Sequence, residues 1–286
     1  MITTNRKKVA VLTDSAADLP AELSEKYAIR VIPLYLTMGE KTWRDGVDIT
    51  PSRFYELLKT SPDFPKTSQP NVADFQQVFL QLAEEAESIL AILVSGELSG
   101  TVASAQAAKN LLPNIPIEII DTHAVSMMEG YIVLEAARVA FQGCDLDEVR
   151  AAARSLLGKT KVYFVVDTFE YLYRGGRIGA AARLMGSTLN IKPVLEIRDG
   201  VAHPATQVRI KRKALAKVIQ LIEKQLSPGQ PIRMTVVNVG ADREAADFRE
   251  QLIETFNPHE ITMTDCSPVL GAHVGPGTVG VAFVIV

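Results

Sequence analysis

Short apolar runs alternate along the chain with stretches whose apolar residues recur every three or four positions. Val9–Thr13 is an apolar run that stops at Asp14-Ser15, the pattern of a buried strand feeding a loop. Ile29–Leu36 reads as a second strand, with Pro33 marking an edge or an irregularity. Thr50-Pro51 places a cap and a first-turn proline ahead of a helix that runs to about Lys59. Val72, Phe75, Phe79, Leu82 and Ala86 share one face of an amphipathic helix, with Asn71 positioned to cap it. The apolar strand Ile89–Val94 follows, then "SGELSGT" and a helix over about Val102–Asn110. Strand Ile115–Ile120 ends at "DTHAVS" and leads into a helix through about Phe141. This alternation predicts an α/β fold whose N-terminal part is a mostly parallel, doubly wound sheet with helices on both faces.

The second half has a different rhythm. Gly143-Cys144-Asp145 precedes a helix over Asp145–Leu157, and Val162–Val166 is a strand. The expected division is an N-terminal α/β domain, 1–160, and a C-terminal α/β domain, 161–286. "YLYRGGRIGAAARL" reads as a helix, a double-glycine break and a second helix. Pro193–Ile197 and Val201–His203 flank Asp199-Gly200, a two-residue hairpin signal. Helix Ile210–Leu226, strand Ile232–Val239, helix Arg243–Phe256, strand Ile261–Thr264 and strand Val279–Val286 complete the chain. Hairpins mixed with helices predict a mixed, partly antiparallel sheet here.

Composition narrows the function classes. The 286 residues are 47% apolar and 22% charged, with a net charge of −3. A chain of this size buries sizeable cores without staples. The near-neutral balance argues against whole-chain attraction to nucleic acid or an anionic membrane. Its two cysteines, Cys144 and Cys266, form no C-x-x-C pair and no zinc spacing, which fits a reducing, cytoplasmic compartment. The longest apolar runs fall far short of the roughly 20 residues that span a bilayer, and the N-terminus has no signal-peptide pattern.

The chain carries several motifs that bear on chemistry. "GPGTVG", Gly275 to Gly280, matches G-x-G-x-x-G, but a strand follows it instead of a helix, so a glycine turn that brings the backbone close to a ligand or another strand is expected over a dinucleotide site. "GELSG", Gly96 to Gly100, misplaces the serine for a nucleophile elbow. No phosphate loop or kinase signature appears, so no ATP site and no cofactor is expected. What remains is hydroxyl-rich. Ser95, Ser99 and Thr101 lie between a strand and a helix, where they either cap the helix or hold a small anion with its first N–H groups. "KTSQPN", Lys66–Asn71, is a second polar loop, read as a turn and cap or as a partner of the first at the ligand end of the sheet.

None of His123, His203, His259 and His273 has a partner at metal spacing, so no metal is expected. His273 precedes a glycine-dense loop that could carry it to a ligand. Arg174 and Arg177 bracket Gly175-Gly176 and either pair at the surface or offer a guanidinium fork to an anion. Arg209, Lys211, Arg212, Lys213 and Lys217 form a basic stretch, which is a solvated face or a docking patch for an acidic protein.

Eight phrases occur in order: "TDSAADLP" (Thr13–Pro20), "VIPL" (Val31–Leu34), "DGVDIT" (Asp45–Thr50), "TSQP" (Thr67–Pro70), "LSGT" (Leu98–Thr101), "DTHAVS" (Asp121–Ser126), "YLYRGGRI" (Tyr171–Ile178) and "HVGPGTVG" (His273–Gly280). In these the chain resembles the DegV family, the fatty-acid-binding proteins of bacteria. The resemblance implies a two-domain α/β protein that holds one long-chain fatty acid between or within its domains. It also implies, for some members, the acyl-carrying subunit of fatty acid kinase. There a separate ATP-dependent kinase phosphorylates the carboxyl group, and the acyl phosphate feeds phospholipid synthesis. Carried over by motif, the carboxylate ligands fall on Thr67, Ser99 and His273, with Arg177 near the same head group. Ser68, Ser95, Gly100 and Thr101 belong to the surrounding loops, and Arg209 matches a kinase-contacting residue. One departure is Gly96, where the family often has a second serine.

The chemistry is coherent on physical grounds. Burying a methylene is worth about 0.8 kcal/mol, so roughly 15 methylenes supply about 12 kcal/mol before the costs of immobilisation. Hydroxyls such as Thr67 and Ser99 bond an anion without adding charge, and His273 changes charge near neutral pH. The alternatives are a stand-alone hydrolase or transferase using Ser99 with His273, and a lipid-sensing regulatory protein.

Overall fold

Along Lys7–Asp14 the side chains point alternately into two cores: Val9 and Val11 into one, Ala10 and Leu12 into the other. The strand is therefore buried on both faces, as the short apolar run predicts. The computed structural model describes residues 6–184, 191–227 and 229–285. Its first part holds β1 (Lys7–Asp14), α1 (Ala21–Lys26), β2 (Arg30–Ile32), β3 (Tyr35–Met38), β4 (Lys41–Arg44), α2 (Pro51–Thr60), β5 (Lys66–Ser68), α3 (Val72–Glu85), β6 (Ala86–Leu93), α4 (Thr101–Asn110), β7 (Ile117–Asp121), α5 (Met127–Phe141) and α6 (Leu146–Leu156). The second holds β8 (Thr160–Val165), α7 (Glu170–Arg174), β9 (Lys192–Arg198), β10 (Val201–Val208), α8 (Lys211–Glu223), β11 (Ile232–Asn238), α9 (Asp242–Phe256), β12 (Glu260–Asp265), α10 (Pro268–Val274) and β13 (Val279–Ile285).

The first sheet is parallel, in the order β2-β1-β6-β7. Phe75, Phe79 and Leu82 of α3, with Ala105 and Ala108 of α4, cover one face. Helices α5 and α6 cover the other. The second sheet is mixed, in the order β10-β9-β8-β13-β11-β12, with only the β11–β12 pair parallel. Its outer face packs on α8 and α9. Its inner face, with Phe164, Leu195 and Ile197, joins the core that contains α5. Buried residues occupy every side of α5, as expected of a helix held between two layers. Its Tyr131 hydroxyl meets the Thr235 hydroxyl of β11 at 2.9 Å.

The caps act as the sequence indicates. The Thr50 side chain accepts from Arg53 N, and Asn71 and Asp74 form a reciprocal capping box. Asp199 and Gly200 both adopt positive φ, 51° and 79°, which the hairpin between β9 and β10 requires.

Three expectations change. Ile29–Leu36 is not one strand: β2 and β3 lie in different sheets, separated at Pro33-Leu34. Pro33 cannot donate to a ladder, and Leu34 N turns aside to the Ser15 hydroxyl at 3.1 Å. Lys66–Ser68 is a strand rather than a turn; it joins β3 and β4 in a small antiparallel sheet. The second helix after the double glycine is a 3-10 segment, Gly179–Leu184. The last residue of the expected final strand, 286, lies outside the described residues.

Candidate functional site

The loops leaving β1, β6 and β7 emerge at the carboxyl ends of the parallel strands, where α/β sheets place their ligands. Asp14 ties two of them together. One of its oxygens accepts from Ala16 N and the other from Val94 N, each at 2.9 Å. Ala16, Val94 and Val125 of these loops face Val162, Phe164 and Ile197 of the mixed sheet across a narrow cavity of about 100 Å³. Val269 and Leu270 of α10 close a further side, and most of the lining is apolar.

One end is polar. Thr67, Ser68, Gln69, Ser99, Arg177 and His273 line it. Thr67 is placed by β5, opposite Leu36 of β3. His273 stands in the last turn of α10, which opens with Ser267 as its cap and Pro268 in its first turn. Thr67 Oγ1 and His273 Nε2 are 2.7 Å apart. His273 Nδ1 is buried with no partner. An unpaired acceptor costs less than an unpaired donor, so the proton belongs on Nε2, which donates to Thr67 Oγ1. The Thr67 hydroxyl proton is then left to donate into the cavity. Burial, and then the Arg177 charge, push the His273 pKa down to about 4, so the imidazole is neutral at pH 7.

Ser99 Oγ lies 2.8 Å from Thr101 Oγ1 and accepts from Thr101 N at 3.3 Å. Arg177 is half-buried; its Nε donates to Leu98 O at 3.0 Å and its Nη1 to Gly175 O at 2.6 Å. These bonds hold the guanidinium beside the hydroxyls and leave it adding positive potential there. Such an arrangement can offer an anion uncharged donors with one cation behind them.

Four named residues, Thr67, Ser99, His273 and Arg177, thus share one cavity end, and Ser68 lies with them. Ser95, Gly100 and Thr101 do not line the cavity. Ser95 Oγ instead donates to Gly200 O at 2.9 Å and fixes the tip of the β9–β10 hairpin. Gly100 packs against the Gln69 amide, which any side chain at 100 would strike. At the departure Gly96, the backbone N–H bonds the Asp121 carboxylate. Arg209 is exposed, between β10 and α8. The Gly275–Gly277 turn ends α10 against Tyr171, with no room for a Cβ at 275.

Sequence reasoning missed Gln69, although it sits inside the quoted "TSQP", and also missed Ser126 and Cys266, which line the cavity. It missed α10 too, although Ser267-Pro268 is a helix-start signal. Beside the cavity are buried acids. Burial raises Asp14 and Asp45 to about 7 and Asp18 to about 6. Among the described residues no cluster of His, Cys, Asp and Glu could hold a metal ion, and no helix is long and apolar enough to cross a membrane.

Fold and site together define a mixed α/β protein with a small, mostly apolar cavity lined on one part by hydrogen-bond donors. A family model described as "Uncharacterised protein, DegV family" matches residues 8–286. The chain belongs to the DegV family. It is 31% identical to Protein DegV of Bacillus subtilis over 276 residues, covering 96% of this chain and 98% of that one. It is 36% identical to a DegV domain-containing protein of Streptomyces coelicolor, with the same coverage of each. Among solved structures, a fatty-acid-binding DegV family protein from Thermus thermophilus superposes with a TM-score of 0.92 at 33% identity, covering 98% of this chain and 100% of that one. DegV from Bacillus subtilis, described as a fatty acid binding protein, gives 0.90 at 29%, with the same coverage. A stearic-acid-binding protein from Eubacterium ventriosum gives 0.89 at 26%, covering 97% and 98%.

Proposed function

We propose that this protein binds one long-chain fatty acid without catalysing a reaction itself, and presents the carboxylate to a separate ATP-dependent fatty acid kinase. The observation that carries the reading is the Thr67–His273 pair, 2.7 Å apart at the polar end of a mostly apolar cavity. Thr67, Ser99 and His273 hold the carboxylate, and Arg177 lies ready for the charge added when an acyl phosphate forms. The tail lies between the 1–160 and 161–286 domains, since residues from both line the cavity. At about 100 Å³ the space is narrow, so seating a full tail requires side chains such as Leu98, Leu172 and Leu270 to shift rotamer. Arg209, exposed at the start of the basic helix α8, contacts the kinase. The cellular setting that fits is the cytoplasm, in phospholipid metabolism.

Solvent extraction of the purified protein followed by mass spectrometry is expected to release fatty acid. Recovering none, and seeing none bind on titration, would overturn the reading. The hydrolase alternative fares worse on geometry. Ser99 Oγ pairs with Thr101, His273 Nε2 pairs with Thr67, and no carboxylate orients His273 Nδ1.

A further inference from the structure

A groove of about 560 Å³ opens where β1, α1, β12 and the loop after β4 meet. It shares no lining residue with the apolar cavity, and its volume is that of a small-molecule site. Five acids line it: Asp14, Asp18, Glu25, Asp45 and Asp265. No lysine, arginine or histidine is among its lining residues. Arg44, next to Asp45 in the chain, is committed elsewhere: its Nε and Nη2 donate to Asp48 at 2.9 and 2.8 Å.

Asp45 adds a sharper observation than charge. The residue is 2% exposed. Its Oδ2 accepts from Ser15 Oγ at 2.7 Å, but its Oδ1 is buried with no hydrogen-bond partner, the Val269 N–H only leaning toward the carboxyl. Asp14 and Asp18 face backbone N–H groups and the Ser126 hydroxyl and lend it no donor. A buried carboxylate oxygen without a donor is costly, so a donor arriving from the groove is strongly favoured. The acids do not converge as a metal shell would: among the described residues no group of three could hold a metal ion. They run from the buried Asp45 to the exposed Glu25 and Asp265. Leu19, Val31 and Val47 line the same groove, Val47 with 60% of its surface exposed. A long cation with methylene segments matches that mixture, because its ammonium ends donate to separated carboxylates while its methylenes cover apolar side chains.

Independently of what occupies the cavity, we propose that this groove is a binding site for an aliphatic polyamine, with one ammonium group donating to Asp45 and another paired with Glu25. Binding is coupled to protons. Burial holds Asp14 and Asp45 at about 7 and Asp18 at about 6, and it holds the ionisable side chains that face them, Glu129, Cys266 and Tyr55, toward their neutral forms. A cation beside the carboxyls favours their charged forms, so binding at pH 7 releases protons and tightens as pH rises from 5 to 8.

The test is calorimetric titration of the purified protein with spermidine and 1,4-diaminobutane in about 0.15 M salt, in two buffers of different ionisation heat. Saturable one-to-one binding is expected, with a heat that differs between the buffers. Asp45→Asn should weaken spermidine binding by at least about tenfold and release fewer protons. Glu25→Gln, at an exposed position, should weaken it about threefold. 1,4-Butanediol lacks the charge and tetramethylammonium lacks N–H donors, so each should bind at least about tenfold more weakly than the diamine. If Asp45→Asn folds poorly, Glu25→Gln and the two control ligands decide. No saturable binding up to about 10 mM spermidine, equal displacement of spermidine by the same concentration of magnesium, or an Asp45→Asn affinity within twofold of wild type would each overturn the proposal, and none of them touches the fatty-acid reading.

Discussion

Gly175 offers a way to dislodge His273 without touching its chemistry. A Cβ built on Gly175 would stand 2.4 Å from His273 Nδ1 and 2.9 Å from Tyr171 O, where ordinary van der Waals contact begins at 3.4 Å. In Gly175→Ala the ring must therefore retreat by about 1 Å. A shift of that size breaks the Thr67–His273 bond, now 2.7 Å long, because hydrogen bonds weaken sharply beyond about 3.5 Å. Gly175 has φ −74°, so alanine carries no φ penalty there, although its Cβ also crowds the Tyr171 carbonyl. Losing a hydrogen bond between two neutral groups costs roughly 0.5–1.5 kcal/mol, which predicts about 2- to 13-fold weaker fatty-acid binding. The neighbouring Gly176→Ala is the control. Its φ is +72° with nothing within 4 Å, so it should lower unfolding stability by about 1 kcal/mol and leave affinity unchanged. Isothermal titration of both variants against one acid decides the matter. Binding by Gly175→Ala within twofold of wild type would refute the role assigned to the Thr67–His273 pair.

Further outcomes follow from charge. Burial raises the Asp45 pKa from 3.8 to about 7, so its contribution to stability is present below about pH 4 and lost as pH rises through 7. Asp45→Asn should then gain on wild type, by roughly 3 kcal/mol, between pH 5 and pH 8 in urea unfolding; an equal difference at both values contradicts this. His273, depressed to about 4, should remain neutral through pH 6 in an NMR titration. Its share of stability is complete above pH 6.5 and lost as pH falls through 4, and a titration midpoint at or above 6 would refute that picture. Arg209→Glu should lower kinase-dependent acyl-phosphate formation by about tenfold with fatty-acid affinity unchanged; unaltered turnover would remove the reason for naming Arg209.

How much was legible in the sequence depended on whether a feature was local. The helices capped by Thr50 and Asn71 and the hairpin at Asp199-Gly200 rest on a few neighbouring residues, and each formed as expected. The Thr67, Ser99, Arg177 and His273 constellation came from motifs matched along the chain, since residues this far apart leave no periodic trace. The break at Pro33-Leu34 depends on the Ser15 hydroxyl, a partner no local pattern announces. Strands β4 and β5 are short and polar, so alternation could not reveal them. Phe164 and Ile197 line a cavity, whereas Leu195 and Val281 fill a core; as side chains they are the same kind of residue, and only the fold separates them.

Thr67 and His273 lie 206 positions apart. A nascent chain with only its first half outside the ribosome has one jaw of the grip and no floor beneath it. On the fatty-acid reading, cargo loads only after synthesis is essentially complete, and occupancy then reports that the whole polypeptide has assembled. A ligand that bound the native form alone would also make both halves resist unfolding at once, far from the few atoms touching its head group.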